Sequence, residues 1–484
     1  MKKLFFLIIA AACIIASCSK NDRFDPGQFP ADAFHKSIPA HVPVVVIPPD
    51  EDGDGDDTEE LSSAIDNAEP GTLIKLLEGE YYVGYMELYG FHGSIIGAGS
   101  ERTIITCKPP IATNSQFAKN QTPGWWRLIG GNILISGITF RTPDGFLADD
   151  VHYALGRDVY AMFMVNNYND IYYHPEDPQK VVIKNCVLSG GTNSDMSQDP
   201  FWVTDHNIWQ GIWIGPDYDL PKEGIDYPLT KGDYLITNCC FNHFLNGAEG
   251  CGLGEKTKMS VTFSKLTNCY APLYFTANYN ASIFVTSNSF SGSVFGADVL
   301  IEDIDFGWLP AVSIKPIKRS LYSITGNTFN TSAQISSILI WDTWIAINPE
   351  QRLPMLAIFK GNLFNLADGS TGISAINSQD AVVKNNRFTG SCETGILIDG
   401  ASTDRNGTQL PNEVYAKNAL VLGNNFSGLK TSSAAVVLGE KSMDCTVIGT
   451  GKEVVIDNGI NNRITGMKNH NGGYHFGRSI RDNF

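Results

Sequence analysis

The sequence predicts an all-β solenoid, a rod of stacked strand-and-turn coils with one helix over its N-terminal end. Three observations carry this. First, "ILISGITF" (133–140), "VVIKNCVL" (181–188), "YLITNCCF" (234–241), "IFVTSNSF" (283–290), "YSITGNTF" (322–329), "AIFKGNLF" (357–364), "AVVKNNRF" (381–388) and "LVLGNNF" (420–426) repeat one design. In each, an apolar alternating strand runs into a turn and Phe or Leu closes it. Second, the closing residues recur at intervals of 48, 53, 49, 39, 35, 24 and 38, so the bare unit is about two dozen residues and the excess is loop. Third, another strand series, "QGIWIG" (210–215), "PLYFTA" (272–277), "SILIWD" (337–342), "TGISAI" (371–376), "TGILID" (394–399) and "AAVVLG" (434–439), gives each coil at least one further strand. Ten to twelve such coils, spaced about 4.8 Å apart, make a rod of roughly 50 to 60 Å.

The chain opens with "MKKLFFLIIAAACIIASC", a basic start at Lys2 and Lys3, an apolar stretch too short to span a bilayer, and small residues before Cys18. This reads as an export signal over residues 1–17. Ile15-Ala16-Ser17-Cys18 resembles a bacterial lipobox, and "SKNDRFD" is similar to the surface-export signals of Bacteroidetes lipoproteins. That resemblance implies lipidation of Cys18 and a bacterial outer-membrane lipoprotein on the periplasmic or cell-surface face, anchored to the membrane through its lipid. Residues 18–57 read as a tether, 58–470 as the solenoid and 471–484 as a C-terminal tail.

Within the tether, "PPDEDGDGDDTEEL" sets Asp50, Asp52, Asp54 and Gly55 on four positions of a twelve-residue calcium loop. Leu61 then stands where a bidentate Glu belongs, and Asp57 where an apolar residue belongs. Calcium is therefore conceivable but unsupported, and no metal or cofactor is expected. The run serves better as the start of a helix, "TEELSSAIDNA", with Leu61, Ile65 and Ala68 on one stripe. Asp57 is the expected N-cap and Glu60 the expected capping-box partner, on a helix lying over the first coil's open edges.

Composition narrows the partners. A net charge of −16 argues against nucleic acid and against an anionic membrane face. Beyond Cys13 and Cys18, eight cysteines remain, and no pair has zinc-site spacing. The position two before the closing residue is Asn288, Asn327, Asn362, Asn386 and Asn424 in later coils, but Ile138, Cys186 and Cys239 in earlier ones. Stacked Asn side chains can bond along the axis, and Asn tolerates a left-handed backbone. Cys and Ile fill the same inward slot as small apolar groups.

Coils of this size with an Asn ladder resemble the single-stranded right-handed parallel β-helix of the pectate lyase superfamily, over roughly residues 58 to 470. "DDTEELSSAIDNAEPGTLIKLLEGEYYV" and "GSIIGAGSERTIITC" are similar to that superfamily's capping helix and first coils. The resemblance implies the fold. It leaves chemistry open, since lyases, hydrolases and noncatalytic adhesins share it. It also implies a ligand groove along the sheet of the "GIWIG" and "TGILID" strands, walled by the long loops 217–233, 307–320, 348–354 and 403–418.

On those strands, alternation turns Trp213, Tyr274, Glu302, Trp341 and Asp399 outward. Rings that stack on sugars and carboxylates that bind hydroxyls are expected of a polysaccharide site. Trp202, Trp209 and Tyr218, in the Trp-rich stretch 193–227, join Trp213, Tyr274, Trp341 and Asp399 as expected substrate contacts. For catalysis, Lys315, Lys318 and Arg319 of "SIKPIKRS", with Glu302 and Asp303, form the expected acid–base set of a lyase or hydrolase. The aspartate constellation of inverting polygalacturonases is missing, Asp149-Asp150 being its lone match, and Lys256 or Lys258 of "EKTK" has no arginine partner one coil on. A noncatalytic glycan-binding surface protein is the alternative.

Overall fold

The structure, a computed structural model, describes residues 42–50, 55–108, 124–143, 161–167, 177–191, 208–215, 229–276, 278–293, 296–303, 320–332, 335–342, 355–404, 407–449, 453–466 and 468–469. The described residues form one helix, Thr58–Asp66, and otherwise short strands that stack in parallel ladders. The chain folds as the right-handed parallel β-helix expected of it.

Each coil has three strands, one more than the minimum of two read from the sequence, because the eight-residue repeats bend in their middle. Asn132–Ser136 lies in one ladder and Thr139–Arg141 in the next. The first ladder stacks fourteen strands, from Val44–Ile47 to Arg463–Thr465. At about 4.8 Å per rung these span roughly 60 Å. The second ladder begins at Gly79–Val83 and the third at Met86–Tyr89. Two long strands, Arg387–Asp399 and Asn425–Leu438, run from the second ladder into the third. Val44–Ile47, from the stretch expected to be tether, pairs in register with Thr72–Leu76, so the solenoid's first strand precedes the helix.

The interior is built by alternation. In the first ladder Ile133 and Ile135, Val181 and Ile183, Ile283 and Val285 point inward and are buried. The second ladder contributes one large inward residue per short strand, the closing residue of each repeat. Phe290, Phe329, Phe364, Phe388 and Phe426 stack with centroids 4.6–4.9 Å apart and rings 6–15° from parallel. Ring spacing thus equals rung spacing, and side chains and backbone pack on one repeat.

The corner between the first two ladders divides its work between two adjacent residues. The first takes the left-handed backbone, with φ of 51–58° at Asn185, Asn238, Phe263, Ser287 and Asn385. Gly137, Gly326, Gly361 and Gly423 do the same elsewhere in the column. The second residue points inward and builds the ladder, so left-handed tolerance belongs one position earlier than the sequence implied. Backbone N–H groups of Asn288, Asn327, Asn362 and Asn386 donate to the Oδ1 of the next Asn at 2.8–2.9 Å. Their Nδ2 groups donate to the same oxygens and to carbonyls of Val261, Val285, Ile324 and Phe359. Ser264 continues the column, its N–H donating to Asn288 and its Oγ accepting from Cys239 N–H. Cys186 and Cys239 fill the inward slot as buried free thiols.

The helix covers the first coils with Leu61 and Ile65 buried beneath it. Its N-terminus differs from the expected capping box, since Asp57 makes no side-chain cap bond. The buried Asp57 carboxylate instead accepts N–H groups from Asp50 and Tyr82, both at 2.7 Å, and so ties the acidic run to the strand Gly79–Val83. Asp56 supplies the local cap, accepting the N–H and hydroxyl of Thr58. Asp52 and Asp54 lie outside the described residues.

Candidate functional site

The third ladder's outward face is where the strand residues singled out in the sequence lie. Register alone sets up three columns across successive coils. One holds Glu87, Arg127, Met164, Trp213, Glu249, Tyr274, Leu300 and Leu339. A second, two residues along, holds Asn166, then Cys251, Thr276, Glu302 and Trp341. The third includes Ala161, Gln210 and Asn246. The outward direction read from strand alternation therefore holds for Trp213, Tyr274, Glu302, Trp341 and Asp399.

Exposure does not follow. Trp213 is fully buried in a small outer cluster with Ala161, Met164 and Cys251. Trp341 packs with Leu300, Leu339, Ile376 and Leu397, and its Nε1 donates to the Thr403 carbonyl at 3.3 Å. Neither presents an open ring face for stacking. Asp399 accepts backbone N–H groups from Gly400 at 2.8 Å and Lys441 at 3.0 Å, so it fastens the chain where the strand ends. Trp209 is half-buried just ahead of Gln210–Ile214. Lys256 and Lys258 belong to the first ladder's approach and strand, with Lys258 over the Phe284 ring, away from the third face. Trp202, Tyr218, Lys315, Lys318, Arg319 and Cys18 lie outside the described residues, as does the side chain of Asp303.

What the structure does bring together is Glu249, Tyr274 and Glu302, on three successive coils. Glu249 comes from Asn246–Cys251, a strand that no apolar alternation marks because "NGAEGC" lacks β-forming residues. Its inward residues must be small. A Cβ on Gly250 would meet Met259 Sδ at 2.9 Å and the Phe275 ring at 3.3 Å, and one on Gly247 would meet Leu266 at 3.1 Å. Coil arithmetic was the available signal, for every coil needs a third strand between the closing residue and the next repeat.

The Glu249 carboxyl is buried, and Oε2 accepts from Gln210 Nε2 on the preceding coil and from Asn246 Nδ2 at 3.1 Å. Burial pushes its pKa up to about 8, with those two hydrogen bonds pulling the other way. At neutral pH it is a carboxylic acid. One coil on, half-buried Tyr274 donates its hydroxyl to Glu302 Oε2 at 3.0 Å. Glu302 itself is buried.

Around these groups stand polar atoms without a hydrogen-bond partner among the described residues: Gln210 Oε1, Thr276 Oγ1, and both Oδ1 and Nδ2 of Asn166. Each belongs to a residue at most 1 % exposed. A buried polar group left unsatisfied costs about 1–3 kcal/mol, so several on one face call for an explanation. At the N-terminal end of the same face, Tyr85 and Tyr89 donate to Glu87, and fully buried Arg127 donates to it at 3.1 Å.

No protein-family model and no curated protein matches the sequence. Among solved structures, the chain is similar to the A-module of mannuronan C-5 epimerase AlgE4 from Azotobacter vinelandii, at 15% identity over 87% of this chain and 96% of that one, with a TM-score of 0.36. It is also similar to the family 28 exopolygalacturonase of Yersinia enterocolitica, at 11% identity over 90% and 77% with a TM-score of 0.43. A third is the pre-mature gene product 12 of bacteriophage phi29, at 14% identity over 87% and 54% with a TM-score of 0.46.

Proposed function

We propose that the chain acts on polysaccharide at the third ladder's outward face, as a glycoside hydrolase with Glu249 as proton donor and Glu302 as second carboxyl group. The observation that supports this is one buried acid, protonated at neutrality, set two coils from another carboxyl group on a face that also holds unpartnered amide and hydroxyl groups of Asn166, Gln210 and Thr276. Hydrolysis needs an acid at the leaving oxygen and a carboxylate that activates water or attacks. Glu302 stands two rungs on and two residues along the strand from Glu249, which sets their backbones roughly 12 Å apart with Tyr274 on the rung between. Tyr274, the half-buried member, links the site to solvent and holds Glu302.

Burial of both glutamates supports a second reading, a noncatalytic glycan-binding protein. A panel of uronate and neutral polysaccharides separates the two, read as new reducing ends and as absorbance of unsaturated products. Hydrolysis yields reducing ends alone, and Glu249→Gln lowers the rate about 10²- to 10⁴-fold, as loss of a general acid does. Unsaturated products would instead mean β-elimination. Silence in both channels with retained binding would leave the noncatalytic reading. Anchoring through Cys18 belongs to the same proposal, and acyl labelling lost in Cys18→Ala is its check.

A further inference from the structure

Resting on that reading of the site, we infer that its ligand is an uncharged polysaccharide, recognised through hydroxyl groups, rather than a polyuronate. The groups facing Glu249 and its neighbours are amides and hydroxyls. Gln210 and Asn246 already donate to Glu249, and Gln210 Oε1, Thr276 Oγ1 and the whole Asn166 amide remain to be matched. An amide offers both donor and acceptor, as a sugar hydroxyl does, so the set is complementary to a polyol.

Charge points the same way. The titratable groups on the strands packed around Glu249 are Cys251 on its own strand, Tyr274 on the next, and Asp298, Glu302 and Asp303 on the one beyond, where buried Asp298 accepts from Ser293 and Thr331. On the preceding coil the facing groups are Gln210 and Trp213. A uronate brought here would bury its charge beside the Glu302 carboxyl group with no Lys or Arg on these strands to pair it, and an unpaired buried charge is costly. Among the described residues the guanidinium on this face, Arg127, is three coils from Glu249 and fully buried against Glu87.

Glu249 enters such a complex as a hydrogen-bond donor, which a glutamine amide can imitate. Binding to a neutral ligand should therefore survive Glu249→Gln, whereas it should weaken in wild type as the acid ionises.

The test is calorimetric titration of the full chain with a β-glucan, an α-mannan and a xylan against polygalacturonate and alginate, at equal sugar concentration and at pH 6 and 9. The expected result is binding of at least one neutral polymer and of neither uronate. Gln210→Ala and Asn246→Ala each weaken it about tenfold, the scale of one hydrogen bond in a buried site. Glu249→Gln binds equally at both pH values, while wild type binds more weakly at pH 9. Uronate binding that Gln210→Ala abolishes, with no neutral polymer bound, would overturn the inference and leave the site in place. Binding to none of the five, or binding indifferent to Gln210→Ala and Asn246→Ala, would remove the site and the inference together. The wild-type comparison needs no variant, so a substitution that fails to fold does not blunt it.

Discussion

Two residues show how strongly position overrides type. Phe263 takes a left-handed backbone, φ 52°, and is 61% exposed, in a column where Asn and Gly otherwise predominate. A side chain with a Cβ costs about 1–2 kcal/mol in that conformation, and exposure returns little to offset it. Phe263→Gly should therefore stabilise the protein by roughly 1 kcal/mol, read as a higher midpoint in thermal or urea melts. An unchanged or lower midpoint would mean the ring contributes packing. Glu249 makes the complementary case. Its pKa is raised to about 8 from 4.5, so between those values the unfolded chain ionises while the folded one keeps its proton. The stability this provides is full below about pH 4.5 and falls by about 1.4 kcal/mol per pH unit, until the folded pKa is passed. Glu249→Gln should flatten that slope, measured as unfolding free energy at pH 5, 6, 7 and 8. Sequence alone points to neither residue, because Phe263 follows an apolar run like any strand residue and Glu249 sits among glycines.

At the level of the strand and turn, the repeat was legible because two physical periods coincide. Inward alternation of period two writes the strands, and the Asn and closing Phe positions write the corner and the stack. The third strand was legible in six coils and not in that of Glu249. In the coil of Glu249 its inward residues are Ala248 and Gly250, shrunk to admit Phe275 and Met259, so hydrophobic pattern vanishes where the interior is most crowded. Outward direction was readable for Trp213 and Trp341, but their burial was not, since covering groups come from distant sequence. The Asn column supports a sharp expectation. Asn362 accepts from Asn327 N–H and Nδ2 and donates to Asn386 and to the Ile324 carbonyl. Asn362→Ala strands a buried N–H and a buried amide of the neighbouring coil, each costing about 1–3 kcal/mol. Asn362→Ala should thus lower stability several-fold more than Asn365→Ala on the adjoining strand, whose Nδ2 bonds to Asn330 at an exposed position. Equal losses in the two variants would mean that the ladder is incidental.

Across the whole rod, each coil touches only its neighbours, so local stability follows how well both faces of a coil are covered. The first strand, Val44–Ile47, leaves Val44, Val45 and Val46 exposed, and the last of its ladder, Arg463–Thr465, buries no side chain fully. Between them lie the coils of the candidate site, with Gln210, Glu249, Tyr274 and Glu302 on strands paired on both sides, and the Asn column and Phe stack begin at the coil of Glu302 and run on from it. An acid held by side chains of two coils works only if those coils do not shift, so the site belongs where opening costs most. Amide hydrogen exchange should then be slowest in the described strands between Gly232 and Asp303 and between Leu321 and Asp399, and fastest at 44–47 and 463–465, with the ends opening at a fraction of the global free energy. The decisive comparison is the exchange of Asn246–Cys251, the glycine-rich strand that carries Glu249. Slow exchange there, equal to that of Ser282–Thr286, would show that crowded neighbours rather than β-forming residues hold the strand. Exchange as fast as the ends would mean that Glu249 is presented on a loose segment, and a preorganised acid would be untenable.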